Sequence, residues 1–464
     1  MLFSSIPFIF QFLPLTLLLY YISPKKLKNT VILIMSLVFY AYGDMKYLPL
    51  MVMLILITYV FSLVMSVLNH PKMRKLTLVV MICISLGLLV TFKYLDFLLI
   101  GVNRVFSLSL KGFGLSLPLG ISFFTFQNIS YAIDVYNKKV KPQTNILTLG
   151  AYIVMFPQLI SGPIIRYSDI APSLSFRKVS REDIESGIED FVIGFAQKMI
   201  IANNIGQLWT EVESIGLSRI SKGLAWLAIL AYSLQIYFDF AGYSRMAIGL
   251  GRLLGFKFND NFDLPYISRS ATEFWRRWHI SLGSWFRDYV YFPLGGSRKG
   301  SGRTILNLFV VWALTGLWHG ASWNFLIWGL YFFILLVIEK SGYISFLNRH
   351  RWFSHIYMIF VILIGWTLFA ITDFSVLLEF LKRLFIPDGL LNLGFHPIGI
   401  RYYLRNYALI LIIGCLLSTS LGMRLYTKIK KNPTLKVITL VCLFILSIAY
   451  MIDSTFTPFL YFRF

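Results

Sequence analysis

Charge is scarce in this chain. Only 14% of its 464 residues are charged, against roughly 25% in ordinary soluble domains, and the mean hydropathy is +0.70. A water-soluble globule is excluded. Cysteine is nearly absent: Cys83, Cys415 and Cys442 each lie in an apolar run, without CxxC spacing and without histidine beside them. That excludes a disulfide framework and argues against thiolate metal sites, leaving them as small core hydrophobes. The sequence has no HExxH, and His350 and His355 have the wrong spacing for two ligands on one helical face, so no metal centre is expected. Gly249-x-Gly251 has Leu254 where a dinucleotide fingerprint needs glycine, and no strand precedes it. Repeats, low-complexity tracts, linkers and composition shifts are also missing, so residues 1–464 are expected to form a single membrane domain.

Apolar residues fill the space that charge leaves. Runs long enough to span a bilayer, or nearly so, recur from Phe3 to Tyr21, Ile146 to Ile165, Leu224 to Gly242, Ile305 to Ile338 and in eight further places. Several fall short of the ~20 residues of a full crossing, which gives an expectation of about eleven transmembrane helices, with the remainder interfacial or re-entrant. The fold class is therefore all-α and polytopic. The first run has no A-x-A-like cleavage site and reads as a retained span.

The net charge of +22, from 43 basic and 21 acidic residues, would indicate nucleic acid in a soluble protein. Here the basic residues occupy short alternate loops: Lys25, Lys26 and Lys28, then Lys72, Arg74 and Lys75, then Lys138, Lys139 and Lys141. Positive-inside bias explains this without any nucleic acid, and places those loops in the cytoplasm and the N-terminus outside. The lipid bilayer is the expected partner.

One long polar interruption, 252–303, is too polar to span and too aromatic for a plain loop, so it reads as interfacial or re-entrant. Inside it, Ser270-Ala-Thr-Glu273 fits a capping box at a helix start, and the periodicity predicts one helix from about Ala271 to Asp288. Such a helix gathers Trp275, Trp278, His279, Leu282 and Phe286 on one face, with Arg276, Arg277, Ser284 and Arg287 opposite. An ordinary surface helix with a satisfied core histidine fits the pattern equally well.

The second feature is a histidine in an apolar run. A single helix over 305–338 would be ~50 Å long, well beyond the ~30 Å hydrocarbon thickness, so the run must break. Its weakest helical point is Thr315 to Ser322, where Gly316 and Gly320 flank His319. Broken helix at membrane depth belongs in protein or beside a wet cavity. His319 is therefore expected near mid-membrane, on an internal cavity, with Trp323 and Asn324 close by, and an ionisable residue there is a candidate functional group. Asp239, at the end of another apolar run, is a candidate partner for Arg245 or for the histidine site. His70, His350, His355 and His396 lie near polar loop residues and read as ordinary surface histidines.

Trp275-Arg276-Arg277-Trp278-His279, followed by Leu317-Trp318-His319-Gly320-Ala-Ser-Trp323-Asn324, resembles the paired histidine motifs of the membrane-bound O-acyltransferase (MBOAT) family. The likeness extends to MLFSSIPFIFQFLPL, to the segment from Gln235 to Phe256, and to the stretch from Thr457 to Phe464. Within the family it is similar to the bacterial branch that acetylates alginate and peptidoglycan, and to its cousin in teichoic acid D-alanylation. The resemblance implies a fold with a central tunnel, His319 as the catalytic histidine and His279 as its assistant. It further implies an acyl donor held as a thioester, acetyl-CoA or an acyl carrier protein, with no resident cofactor. Trp275, Trp278, Trp285, Trp318, Trp323, Asn324 and Asp239 are the expected neighbours of the donor. Arg276, Arg277, Arg287, Arg298, Lys299 and Arg303 form a basic rim for its phosphates or for an acidic carrier. The implied partners are an SGNH-type extracytoplasmic acetyltransferase and an acceptor polysaccharide. D-alanyl transfer to teichoic acid is the alternative within the class. A transporter with proton-relay histidines is the alternative outside it, and would be expected to repeat the WHG break in a second half; no second copy is present.

Overall fold

A computed structural model describes residues 1–160, 162–388 and 399–453. Among the described residues the regular structure is helical, apart from an isolated antiparallel bridge between Phe262 and Trp278. The stretch from Thr457 to Phe464 and His396 lie outside the described residues. Among the described residues, seven segments are long and apolar enough to cross a membrane: Lys25–Val67, Pro71–Lys93, Lys222–Leu253, Trp323–Arg349, Arg351–Ala370, Ile400–Leu417 and Pro433–Asp453. This is a multi-pass membrane protein. The first of the seven holds two helices, Lys28–Asp44 and Leu48–Val67, and several of the other apolar runs are divided. The run 146–165 breaks at Met155, where ψ turns to 112°, and gives helices of only 9 and 4 residues.

One compact unit comprises Met1–Phe191 and Tyr243–Asp260. Its main helices are α1 (Lys28–Asp44), α2 (Leu48–Val67), α3 (Pro71–Lys93), α4 (Ile121–Tyr136) and α5 (Ile146–Val154). Proline opens α2 and α3, where its missing N–H leaves no intrahelical bond unmade. Asn145 caps α5, its Oδ1 accepting from the backbone N–H of Leu147 (2.9 Å) and Thr148 (3.1 Å). α1 packs along α5, and α3 along α4. Rings of Phe3, Phe8, Phe12, Phe39 and Phe156 form one buried cluster, and Phe3 stacks on Tyr243 at 4.5 Å between centroids. The Tyr20 and Tyr21 hydroxyls donate to the carbonyls of Leu254 and Leu253, both at 2.7 Å.

The other unit comprises Val192–Gly242 and Asn261–Phe464. It holds most of α6 (Lys222–Leu253), a 32-residue helix buried along nearly its whole length, as Leu224, Ala228, Tyr232, Ile236 and Phe240 show. After it come α7 (Ala271–Arg277), α8 (Ile280–Phe286), α9 (Ser301–His319), α10 (Trp323–Ile338), α11 (Arg351–Ala370), α12 (Ile400–Leu417) and α13 (Pro433–Asp453). α9 and α10 pack on each other as a hairpin, and α10 packs in turn on α11. A Cβ at Gly316 would collide with the carbonyl of Phe325, and one at Gly329 with the carbonyl of Trp312, so this hairpin requires glycine at both crossings. Hydroxyls inside these helices donate to carbonyls one turn back, as Thr315 does to Val311 and Thr367 to Leu363. That satisfies them where no water is available. The face that α13 leaves open is apolar, with Val437, Ile438, Val441 and Ile445 exposed as a lipid-facing helix requires.

Candidate active site

The site is assembled in the second unit, from α7 to α11. α7 starts at Ser270, whose Oγ accepts from the Glu273 N–H at 3.0 Å. The return bond of the capping box is displaced by one residue: Glu273 Oε2 accepts from the N–H of Arg269 at 3.0 Å. A third group, outside the motif, completes the helix start. Glu339, fully buried at the end of α10, accepts from the N–H of Ala271 (2.6 Å) and from both the N–H and hydroxyl of Thr272 (2.9 and 2.7 Å). A carboxylate against free amides at a helix start is favourable in charge as well as in hydrogen bonding. It also fixes α7 to α10.

The continuous helix expected from Ala271 to Asp288 is not what forms. α7 ends at Arg277, and the chain turns at His279, which has φ 47° and ψ 53°, before α8 begins. The turn is held by an extended pairing with an earlier segment. Asp263 N–H donates to the Arg277 carbonyl (2.9 Å) and Ile280 N–H to the Asn261 carbonyl (3.0 Å). A left-handed backbone at a bulky residue is unfavourable in isolation, and such positions persist only where their surroundings enforce them. One consequence is that Trp278 and His279 do not share a helical face with Trp285 and Phe286. Trp278 packs on Trp366 (4.7 Å) and Phe262 (5.0 Å), whereas Trp285 lies against Phe286 and Tyr289.

His279 is 1% exposed. Its Nδ1 lies 3.1 Å from Asn261 Oδ1, the same oxygen that accepts from Ser281 N–H (3.2 Å) and Ser281 Oγ (2.9 Å). Because a backbone N–H can only donate, that atom is the amide oxygen, and Nδ1 must be the nitrogen that carries the proton in the neutral ring. Nε2 is then the basic nitrogen. Burial pushes the imidazole pKa down to about 3, so the ring is neutral at ordinary pH.

His319 is the last residue of α9, and the chain is extended at Gly320, with φ −171° and ψ 160°. A side chain at Gly320 would collide with the ring of Phe325. His319 is 4% exposed and sits edge-on among the rings of Trp318 (5.0 Å), Trp328 (4.9 Å) and Phe369 (5.2 Å). Asn324 holds one wall of this cage, its Nδ2 donating to the carbonyls of Leu368 (3.1 Å) and Phe369 (3.2 Å). Ring contacts join the first motif to the second and to the cage around His319. Trp318 lies 6.0 Å from His279 and 5.0 Å from His319, while Trp275 meets Trp328 at 5.4 Å.

Other candidate residues fall elsewhere. Trp323 is 61% exposed and stands apart from the buried cage, at the start of α10 after a chain that is extended at Gly320 and again at Ser322. Asp239 is not the partner of Arg245: it forms a buried ion pair with Lys198, and Arg245 pairs with Asp190 at 3.1 Å. Of the basic rim, Arg277 is held by Asp263 (2.9 Å) and Glu273 (3.1 Å), and Arg287 by Asp288 (2.9 Å). Arg276, Arg298, Lys299 and Arg303 are exposed. Asn261 and Glu339 were not singled out in the sequence, since their roles come from contacts 18 and 68 residues away.

The profile of the MBOAT, membrane-bound O-acyltransferase family matches residues 137–378, a span that contains both histidines and the helices that carry them. The chain belongs to the MBOAT family. Its similarity to curated proteins extends further than that span. It is 39% identical to the "Probable alginate O-acetylase AlgI" of Azotobacter vinelandii over 81% of this chain and 76% of that protein. It is 34% identical to a peptidoglycan O-acetyltransferase of Helicobacter pylori, over 74% of this chain and 71% of the relative. A teichoic acid D-alanyltransferase of Bacillus subtilis is 33% identical over half of this chain and 63% of its own length. MBOAT membership makes the chain a membrane-bound acyltransferase, and an acyl donor is thereby implied.

Proposed function

We propose that this acyltransferase takes an acetyl group from a cytoplasmic thioester, acetyl-CoA or an acyl carrier protein, and passes it across the membrane. The acceptor would be the hydroxyls of a cell-surface polysaccharide, reached through an extracytoplasmic SGNH-type partner, with the whole chain acting as one membrane domain in a bacterial inner membrane. The observation that carries this reading is His319 at the break of an apolar helical hairpin, caged by aromatic rings and joined through Trp318 to a neutral His279. The relatives named for alginate and peptidoglycan O-acetylation supply the acceptor class.

The chemistry needs little beyond a base. A hydroxyl oxygen attacks the thioester carbonyl, the new C–O bond forms as the C–S bond breaks, and an imidazole takes the hydroxyl proton and returns it to the departing thiolate. General-base help of this kind is worth ~10² to 10⁴-fold. His319 takes that role, and His279 orients the donor beside it. A pantetheine arm of roughly 20 Å reaches part way into the ~30 Å core but cannot cross it, so the acyl group changes hands inside a tunnel. The rise of α9 from Arg303 to His319 is about 24 Å, longer than the arm. Trp275 is only two ring contacts from His319, so the donor enters by the exposed Arg276 and not by the Arg298–Arg303 loop.

His319→Ala, and the bulkier His319→Gln that refills the cage, should each abolish transfer from radiolabelled acetyl-CoA to acceptor in isolated membranes, with normal insertion and yield. Acetylation near the wild-type rate in either variant would remove His319 from the chemistry. D-alanyl transfer is the second reading, favoured by the Bacillus subtilis relative. It requires turnover with an alanyl carrier protein and none with acetyl-CoA. A transporter without acyl chemistry does not fit the family.

A further inference from the structure

Far along the sequence from the two histidines, the first unit contains a polar cavity of about 260 Å³. Lys25, Lys26, Lys28 and Arg177 line it, with Asn29 and Thr148 beside them, and no carboxylate appears among its lining residues. Loop lysines that merely obey positive-inside bias need only point into water. These are gathered around a concavity with an arginine from a remote segment, and that arginine is built in. Arg177 Nε donates to the Tyr20 hydroxyl (2.9 Å) and the Leu254 carbonyl (3.0 Å), and Nη1 to Asn29 Oδ1 (2.7 Å) and the Ser173 carbonyl (3.1 Å). The buried Nη2 has no hydrogen-bond partner among the described residues. Asn29 is fixed in its turn by Thr148 Oγ1 (3.2 Å) and the Leu174 carbonyl (2.9 Å).

Four cations around one cavity repel one another unless an anion joins them. A carboxylate carries a single charge and is small for the space. A substituted phosphate supplies more charge, several acceptor oxygens and more volume. We propose that this cavity is a binding site for a phosphate-bearing anion. The three-residue turn Lys25–Leu27 follows the apolar helix Phe8–Ile22 and precedes α1, which puts the cavity at a membrane–water boundary. Exposed Phe176 stands at its rim, its ring 5.8 Å from the Lys25 ammonium. A lipid phosphate and the phosphate of a soluble ligand are both within reach there.

The test uses the full chain in nanodiscs, and a variant in which Lys25, Lys26 and Lys28 are all replaced by glutamine. Those side chains make no hydrogen bond among the described residues, so the variant should melt as the wild type does without ligand. Arg177 is left in place because it ties Tyr20, Asn29 and Leu254 together. Two probes are compared by thermal shift and titration: inorganic pyrophosphate in phosphatidylcholine discs, and phosphatidylglycerol in place of phosphatidylcholine. Wild-type protein should bind at least one, and the variant should bind it roughly a hundredfold more weakly, at about fivefold per lysine. Response to phosphatidylglycerol alone identifies a lipid headgroup, and response to pyrophosphate alone a soluble phosphate. Binding of neither probe, or equal binding by the variant and the wild type, overturns the proposal.

Discussion

His279 takes its conformation from distant parts of the chain. Its left-handed backbone and its Nδ1 partner both come from the segment around Asn261, so the ring is aimed before any substrate arrives. Asparagine tolerates such a backbone, and His279→Asn should therefore preserve the fold while reducing kcat by about 10²-fold, as expected for a lost orienting group. A variant that lost its thermal transition instead would make His279 a structural residue. The depressed pKa has a sign that can be checked. A histidine held neutral when folded but free to charge when unfolded lowers stability as pH falls below ~6.5. Between pH 5 and 8 it contributes no titration to the rate, so an acid limb in that range that disappears in His279→Asn would contradict the assignment. What the sequence made legible differs between the two histidines. Glycines on both sides of His319 mark its break in the local composition. No glycine or proline marks the break at His279, which is imposed by pairing with Asn261 and Asp263, and periodicity ran straight through it. The exposed position of Trp323, at the start of α10, was likewise not legible in the sequence.

At the scale of elements, two devices hold the site together. The first is the close crossing of α9 and α10 at Gly316 and Gly329. Gly329→Ala drives a methyl against the Trp312 carbonyl, and overpacking of this kind costs about 1–3 kcal/mol. Its melting temperature in detergent should fall, with acylation falling further because the cage wall Trp328 moves with it. An unchanged transition would mean that the crossing is looser than described. The second is Glu339. Glu339→Ala leaves buried amides of Ala271 and Thr272 without acceptors, at about 1–3 kcal/mol. Glu339→Gln keeps one acceptor oxygen and should recover part of the loss, which a purely steric role would not show. The all-α class and the membrane setting were readable from composition, whereas the division of the apolar runs was not. Breaks such as the one at Met155 shorten apolar runs without changing their composition.

For the molecule as a whole, orientation is the property most open to test. α1 has 17 residues, about 26 Å of helix, long enough to set Lys26 before it and Lys46 after it on opposite sides of a bilayer. In a background without the three native cysteines, Lys26→Cys should react only with reagents that enter the cytoplasm and Lys46→Cys with impermeant ones. Reversed labelling would turn the donor side around. The 32-residue α6 sets a further condition. Its length of about 48 Å would need a tilt near 50° to fit within ~30 Å of hydrocarbon, outside the 0–40° that helices adopt. The rod must therefore emerge from the oil, and the emerging end is the one where Arg245 and Arg252 both grip Asp190. Deuterium should reach the amides of its last two turns from bulk water, while those between Ala228 and Phe240 stay protonated far longer.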